Sequence, residues 1–167
     1  ENSCDPRERR RGPPRGPPQS RGRRRRRPGA SCPPAAGARP AKLLDPRADI
    51  TVAARFGVER EGKLPDGYDP NQPYKLIFTW HYLGGSASGI ARSYYGLEDL
   101  AQGSAIFVSP QGIDAGWANT GGRDVAFARA MVDKFKADYC IDEERVFSTG
   151  FSYGAIMSNT VGCAMGD

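Results

Sequence analysis

The 167-residue sequence has one histidine, His81, no C-x-x-C pair among its four cysteines, and no long apolar run. A transmembrane helix needs about 18 or more consecutive apolar residues, so none is encoded here. Without C-x-x-C spacing, a zinc or thioredoxin-like site is not expected. There is no internal repeat and no charged-then-apolar leader at the front. The sequence opens on Glu1 rather than Met, so it is expected to be a fragment or a processed product, and a lost signal peptide remains open.

A uniformly basic surface is also lacking, although the net charge is +5. Residues 1–40 hold 12 arginines against Glu1, Asp5 and Glu8, together with nine of the 14 prolines. The remainder carries 12 basic and 16 acidic groups, a net charge of −4, which disfavours a basic nucleic-acid-binding domain. Residues 1–44 are expected to be disordered, because like-charge repulsion and proline leave nothing to bury. The unbroken series Arg23 to Arg27 would suit a polyanion, since adjacent guanidiniums neutralise several phosphates at once. A solvated linker, or sequence outside the mature protein, is the favoured alternative. The folded domain is expected over residues 45–167.

Within it, Ile50 to Arg60 alternates at roughly period two and reads as an antiparallel edge strand. Leu64 to Pro70 is dense in turn residues. Tyr74 to Trp80 is a nearly continuous apolar run, as in a strand covered on both faces. Ser88 to Gln102 has helical spacing, with Ile90, Tyr94, Leu97 and Ala101 about one turn apart. Ala105 to Val108 reads as a second buried strand. Asp124 to Tyr139 is an amphipathic helix burying Val125, Ala128, Val132 and Phe135. Arg145 to Thr149 is a third strand and Tyr153 to Ala164 a third helix. This alternation implies a parallel sheet with right-handed crossovers.

Gly150-Phe151-Ser152-Tyr153-Gly154 matches G-x-S-x-G at the join of a predicted strand and helix. A serine in such a turn is strained, with its hydroxyl projecting above the strand end, and the glycines let strand and helix pass closely. An ordinary turn with Ser152 as the N-cap is the structural alternative. Attack on a carbonyl leaves an oxyanion that needs two fixed N–H donors. Tyr153 N–H, at the helix start, is one candidate. Tyr82 or Leu83, in the loop Trp80-His81-Tyr82-Leu83-Gly84-Gly85, is the other, with Gly84 and Gly85 letting the backbone approach. His81 is expected to shape this loop rather than act as base, because in the α/β-hydrolase order the acid and then the histidine follow the serine.

The segments Leu64 to Tyr68, Trp80 to Gly85, Tyr95 to Leu97, Ile106 to Gly112, Gly116 to Gly122, Cys140 to Asp142 and Gly150 to Gly154, in this order, resemble the fungal feruloyl esterases of type C and D. These are secreted serine esterases of the α/β-hydrolase fold, related to polyhydroxybutyrate depolymerases. The resemblance implies a three-layer α/β fold, mostly parallel, truncated after the helix of the nucleophile elbow. It implies hydrolysis of esters between hydroxycinnamic acids and plant cell-wall sugars, with Ser152 as nucleophile and no metal or organic cofactor. Nucleic-acid and membrane partners are not expected, and the implied location is extracellular. The triad acid and base have no counterpart here, and residues 1–40 match nothing in the family. Acetyl-xylan esterase and polyester depolymerase are the enzymatic alternatives; nucleic-acid binding through the arginine arm is the alternative of another class.

Helix and strand rises bring Cys140 and Cys163 back to the same end of the sheet, so a disulfide between them is expected, with two buried thiols as the alternative. Trp117 emerges where ligands of open α/β folds bind, and either contacts an aromatic acyl group or packs its loop down.

Overall fold

The computed structural model describes Cys32 and residues 60–166. Most of the predicted edge strand over residues 50–60 and the predicted disorder of residues 1–44, Cys32 apart, lie outside the described residues. The sheet has four strands in the order β1-β3-β2-β4: β1 (Arg60–Lys63), β2 (Tyr74–Trp80), β3 (Ala105–Pro110) and β4 (Ile141–Gly150). β1 is an antiparallel edge strand against β3, while β2 runs parallel to both β3 and β4.

Side chains alternate across a strand, so β2 serves two layers at once. Tyr74, Leu76, Phe78 and Trp80 face one core with Ile106 and Val108, covered by helices α3 (Arg123–Asp138) and α4 (Tyr153–Met165). Ile77 faces the other with Ala105 and Phe107, beneath the segment holding α1 (Ala87–Ile90) and α2 (Leu97–Ala101). α3 buries Ala128, Val132 and Phe135 as its periodicity predicts, and also Phe127 and Met131; Val125 is only half-buried.

The predicted continuous helix over 88–102 is instead broken. Tyr94 and Tyr95 have φ of 46° and 60°, and Gly96 follows at 75°, so the chain turns through a short 3-10 segment between α1 and α2. Tertiary packing overrides the helical period: Tyr94 is buried against the Phe107 ring, 4.9 Å between centroids.

β4 also departs from expectation, starting at Ile141 rather than Arg145. Its ladder pairs Tyr74 with Ile141 and then Leu76 with Val146, so the additional residues of β4 bulge out. Among the described residues its other edge is unpaired, with Phe147 48% exposed, and α4 leaves Ile156 60% exposed while burying Met157 and Val161.

The predicted Cys140–Cys163 disulfide is not formed. Cys140 pairs with Cys32, with 4.7 Å between the Cα atoms, and Cys163 is disulfide-bonded elsewhere. The reason is length. From Tyr74 to Trp80 the ladder covers about 20 Å at about 3.3 Å per step, whereas α4 returns only about 16 Å between Ser152 and Cys163. Cys163 therefore stops short of Cys140, beside α3, where Arg129 Nη2 donates to the Ala164 carbonyl at 3.1 Å.

The Cys32–Cys140 link closes a separation of 108 residues, so Cys32→Ala should lower unfolding stability by about 2–5 kcal/mol, read as a shifted midpoint in urea. An unchanged midpoint would show that the link carries no stability.

Candidate active site

Strand β4 ends at Gly150 and α4 begins at Tyr153, leaving the turn Phe151-Ser152 at the carboxyl end of the sheet. Ser152 has φ 53° and ψ −119°, a region that costs a non-glycine residue about 1–3 kcal/mol. Although it occupies the N-cap position, its side chain caps nothing, and the residue is exposed. The ordinary N-cap reading is thereby removed. The glycines at either end have a steric cause. A Cβ on Gly150 would come within 2.5 Å of the Gly154 backbone and 2.9 Å of the Trp80 carbonyl oxygen. One on Gly154 would collide with the Trp80 carbonyl and lie 2.8 Å from that of His81. The elbow thus rests directly on the first peptides of the loop after β2.

That loop is a tight turn. Gly84, at φ 75°, donates its N–H to the Ala115 carbonyl at 2.8 Å, and Gly85 N–H donates to the Tyr82 carbonyl at 2.9 Å. Tyr82 and Leu83 lie at its tip, 46% and 66% exposed. Among the described residues, the N–H groups of Tyr82, Leu83 and Tyr153 donate to no protein acceptor. The Tyr153 N–H is one of the orphan donors that every helix start leaves, and it carries the partial positive charge of that end.

His81 lies beneath the loop, fully buried. Its Nε2 accepts from Gly112 N–H at 2.9 Å; since a backbone N–H can only donate, the ring proton sits on Nδ1, which donates to the Tyr82 carbonyl at 2.8 Å. Gln111 closes the surround: its Nε2 donates to the Gly112 carbonyl at 3.1 Å and its Oε1 accepts from Ala87 N–H at 2.8 Å, joining the loop to α1. Both nitrogens of His81 are committed to backbone, which leaves none for a serine hydroxyl. Sequence reasoning did not single out Gln111, whose role depends on the fold bringing residue 111 beside residue 81.

Trp117 does not reach the surface. Its ring is buried, lies 5.0 Å edge-to-face from Trp80 and 4.7 Å from the His81 ring, and its Nε1 donates to the His81 carbonyl at 2.8 Å. Of the two readings of Trp117, this placement favours the packing one: a large ring with one donor is satisfied inside, holding the loop down. Gly116 beside it has little room for a side chain, since a Cβ would meet the Tyr153 ring at 3.0 Å and the Leu83 side chain at 3.3 Å, each of which would have to shift.

No protein-family model matches the chain. Probable feruloyl esterase C from Aspergillus niger is 47% identical over 113 residues, covering 65% of this chain and 42% of the relative. Feruloyl esterase D from Neurospora crassa is 45% identical over 113 residues, covering 61% of this chain and 39% of the relative. Over this stretch the chain is homologous to the feruloyl esterases C and D. It spans about two fifths of the length of these curated relatives. Among solved structures, the acetyl xylan esterase from Aspergillus awamori superposes with a TM-score of 0.52 at 24% identity, covering 64% of this chain and 42% of that one. The shared fold is that of an α/β-hydrolase.

Burial holds the His81 pKa below its usual value, with the Tyr82 carbonyl pulling weakly the other way. The unfolded chain, with the ordinary value of about 6.5, therefore binds a proton that the folded state refuses. Stability is complete above about pH 6.5 and falls as pH drops from there towards the folded value. Because the chain has one histidine, His81→Gln should flatten the melting temperature between pH 7 and pH 5 while lowering it overall. Equal slopes in wild type and variant would disprove this.

Proposed function

We propose that the chain carries the nucleophile and oxyanion hole of a serine esterase acting on feruloyl or related hydroxycinnamoyl esters of plant cell-wall polysaccharides. The observation that supports this best is Ser152, strained and uncapped at a helix start, between unpaired N–H groups on two loops packed against each other. The homology to feruloyl esterases C and D supports the substrate class.

In this reading the Ser152 oxygen attacks the ester carbonyl and its proton passes to a base other than His81. The tetrahedral oxyanion lies between the N–H of Tyr153 and that of Tyr82 or Leu83. The alcohol leaves with the proton, and water then releases the cinnamic acid from the acyl-enzyme. His81, Gln111 and Trp117 hold the loop so that its donors need not reorganise during the reaction.

The enzyme works outside the cell. The disulfides at Cys140 and Cys163 support an oxidising compartment.

The test is covalent labelling of the full-length protein by a serine-directed aryl phosphonate, with methyl ferulate hydrolysis in parallel. Ser152→Ala should abolish labelling and reduce turnover by about 10³-fold or more. Labelling undiminished in the alanine variant would overturn the assignment. Gly154→Ala, which pushes a methyl group into the Trp80 carbonyl, should also remove turnover; retention of more than a tenth of it would show that the loops are not in contact.

A further inference from the structure

The β2–β4 ladder ends at Trp80 and Gly150, and beyond that pair both chains leave the sheet. No ladder bond then fixes the elbow against the opposing loop, although the chemistry proposed for Ser152 needs both within a fraction of an ångström. The Tyr95 side chain spans this gap. The Tyr95 phenol donates to the Trp80 carbonyl at 2.7 Å, and Phe151, the residue before Ser152, lies near enough for its backbone N–H to pull the phenol pKa down.

The Tyr95 backbone supplies a second, independent observation. It sits at φ 60° and ψ 27°, where glycine or asparagine is cheaper than a bulky side chain. Its neighbour Tyr94 shares a positive φ and is buried against Phe107, so its ring accounts for its place by packing. Tyr95 is 36% exposed and, among the described residues, contacts no other aromatic ring; what distinguishes it is where the hydroxyl goes.

We propose that Tyr95 is a positioning residue of the esterase site: its phenol fixes the Trp80 carbonyl and, through it and Phe151, sets the nucleophile elbow relative to the oxyanion loop. The Trp80 carbonyl is the group on which Gly154 rests, and its peptide plane begins the run His81-Tyr82-Leu83 that carries the second oxyanion donor. Burial raises the phenol pKa, outweighing the Phe151 N–H, and Tyr82 adds a smaller push in the same direction, so the hydroxyl keeps the proton it donates. The inference rests on the Ser152 reading.

The experiment compares full-length wild type, Tyr95→Phe and Tyr95→Asn. Each is assayed for the rate of Ser152 labelling by the aryl phosphonate, for kcat and KM on methyl ferulate, and for thermal unfolding. Tyr95→Phe should slow labelling and lower kcat together by about 10-fold, since small displacements of reacting groups carry costs of that order, with KM within about 2-fold. Tyr95→Asn accepts the left-handed backbone and lacks the bridge, so it should lose at least as much rate while unfolding at or above the temperature of Tyr95→Phe. Unchanged labelling and kcat in Tyr95→Phe would overturn the inference while leaving the esterase reading intact. So would rates that merely follow the fraction folded across the variants. A wild type with no label on Ser152 would remove the esterase reading, and the inference with it.

Discussion

The site is organised around the approach of the strand-to-helix turn to the carbonyl of Trp80, an approach possible only because residues 150 and 154 have no Cβ. Glycine costs a helix or strand about 0.5–1 kcal/mol relative to alanine, and the strained Ser152 backbone adds a further cost. These penalties are offset by the sheet beneath, where Trp80 is fully buried, stacks on Phe78 at 5.8 Å and donates its Nε1 to Ser148 at 2.8 Å. The strain is held where the elbow presses on the buried end of β2, whose surroundings cannot relax to release it.

A buried imidazole in this setting does structural work that an apolar residue could not. The loop from Trp80 to Gly85 turns away from the sheet, and its carbonyls and N–H groups lose their ladder partners as it does so. His81 accepts from Gly112 and donates to Tyr82, while Trp117 donates to His81, so two of these carbonyls and the N–H of Gly112 are satisfied by two rings. The neutral Nδ1-protonated tautomer is what the arrangement requires, and it needs one donor and one acceptor on the same ring. An aromatic hydrocarbon would orphan the Gly112 N–H, at about 1–3 kcal/mol for a buried group, and leave the Tyr82 carbonyl only its bond from Gly85.

The strands β2 and β3, the helices α3 and α4 and the elbow were legible in the sequence, because unbroken apolar runs and a 3.6-residue period are local signals. The break between α1 and α2 was not. Ile90, Tyr94, Leu97 and Ala101 do bury one side, but consecutive left-handed residues at Tyr94 and Tyr95 are imposed by Phe107 and Trp80, which lie elsewhere in the chain. At the site, G-x-S-x-G gave the serine and its glycines, whereas the inward turn of Trp117 and the part played by Gln111 depend on the loop from Gly112 to Trp117 folding back under His81. The cysteine pairing was out of reach for a related reason: strand and helix rises constrain only the segments they describe, and the partner of Cys140 is 108 residues away.

The two ends of the sheet divide the work between them. At the start of β2 and β4, Tyr68 accepts from Cys140 N–H at 3.0 Å, Tyr74 N–H donates to the Cys140 carbonyl at 3.0 Å, and the Tyr74 hydroxyl accepts from Asp69 N–H at 2.9 Å. The Tyr68 ring lies 5.0 Å from that of Tyr74 and 5.9 Å from that of Tyr139, and the Cys32–Cys140 bond is fixed to the same corner. Here the two phenols and the Cys140 peptide bond one another and the neighbouring backbone. At the other end of the same strands, Trp80 and Gly150 open into loops whose tips keep unpaired donors and an uncapped serine. Exposed donors are paired by water and cost little, but the strained Ser152 backbone does carry a cost, so a sheet that holds that strain at its carboxyl end gains from a tightly held amino end. The tyrosine corner and its disulfide meet that requirement about 20 Å from the chemistry, where their rigidity constrains the strands without crowding the substrate.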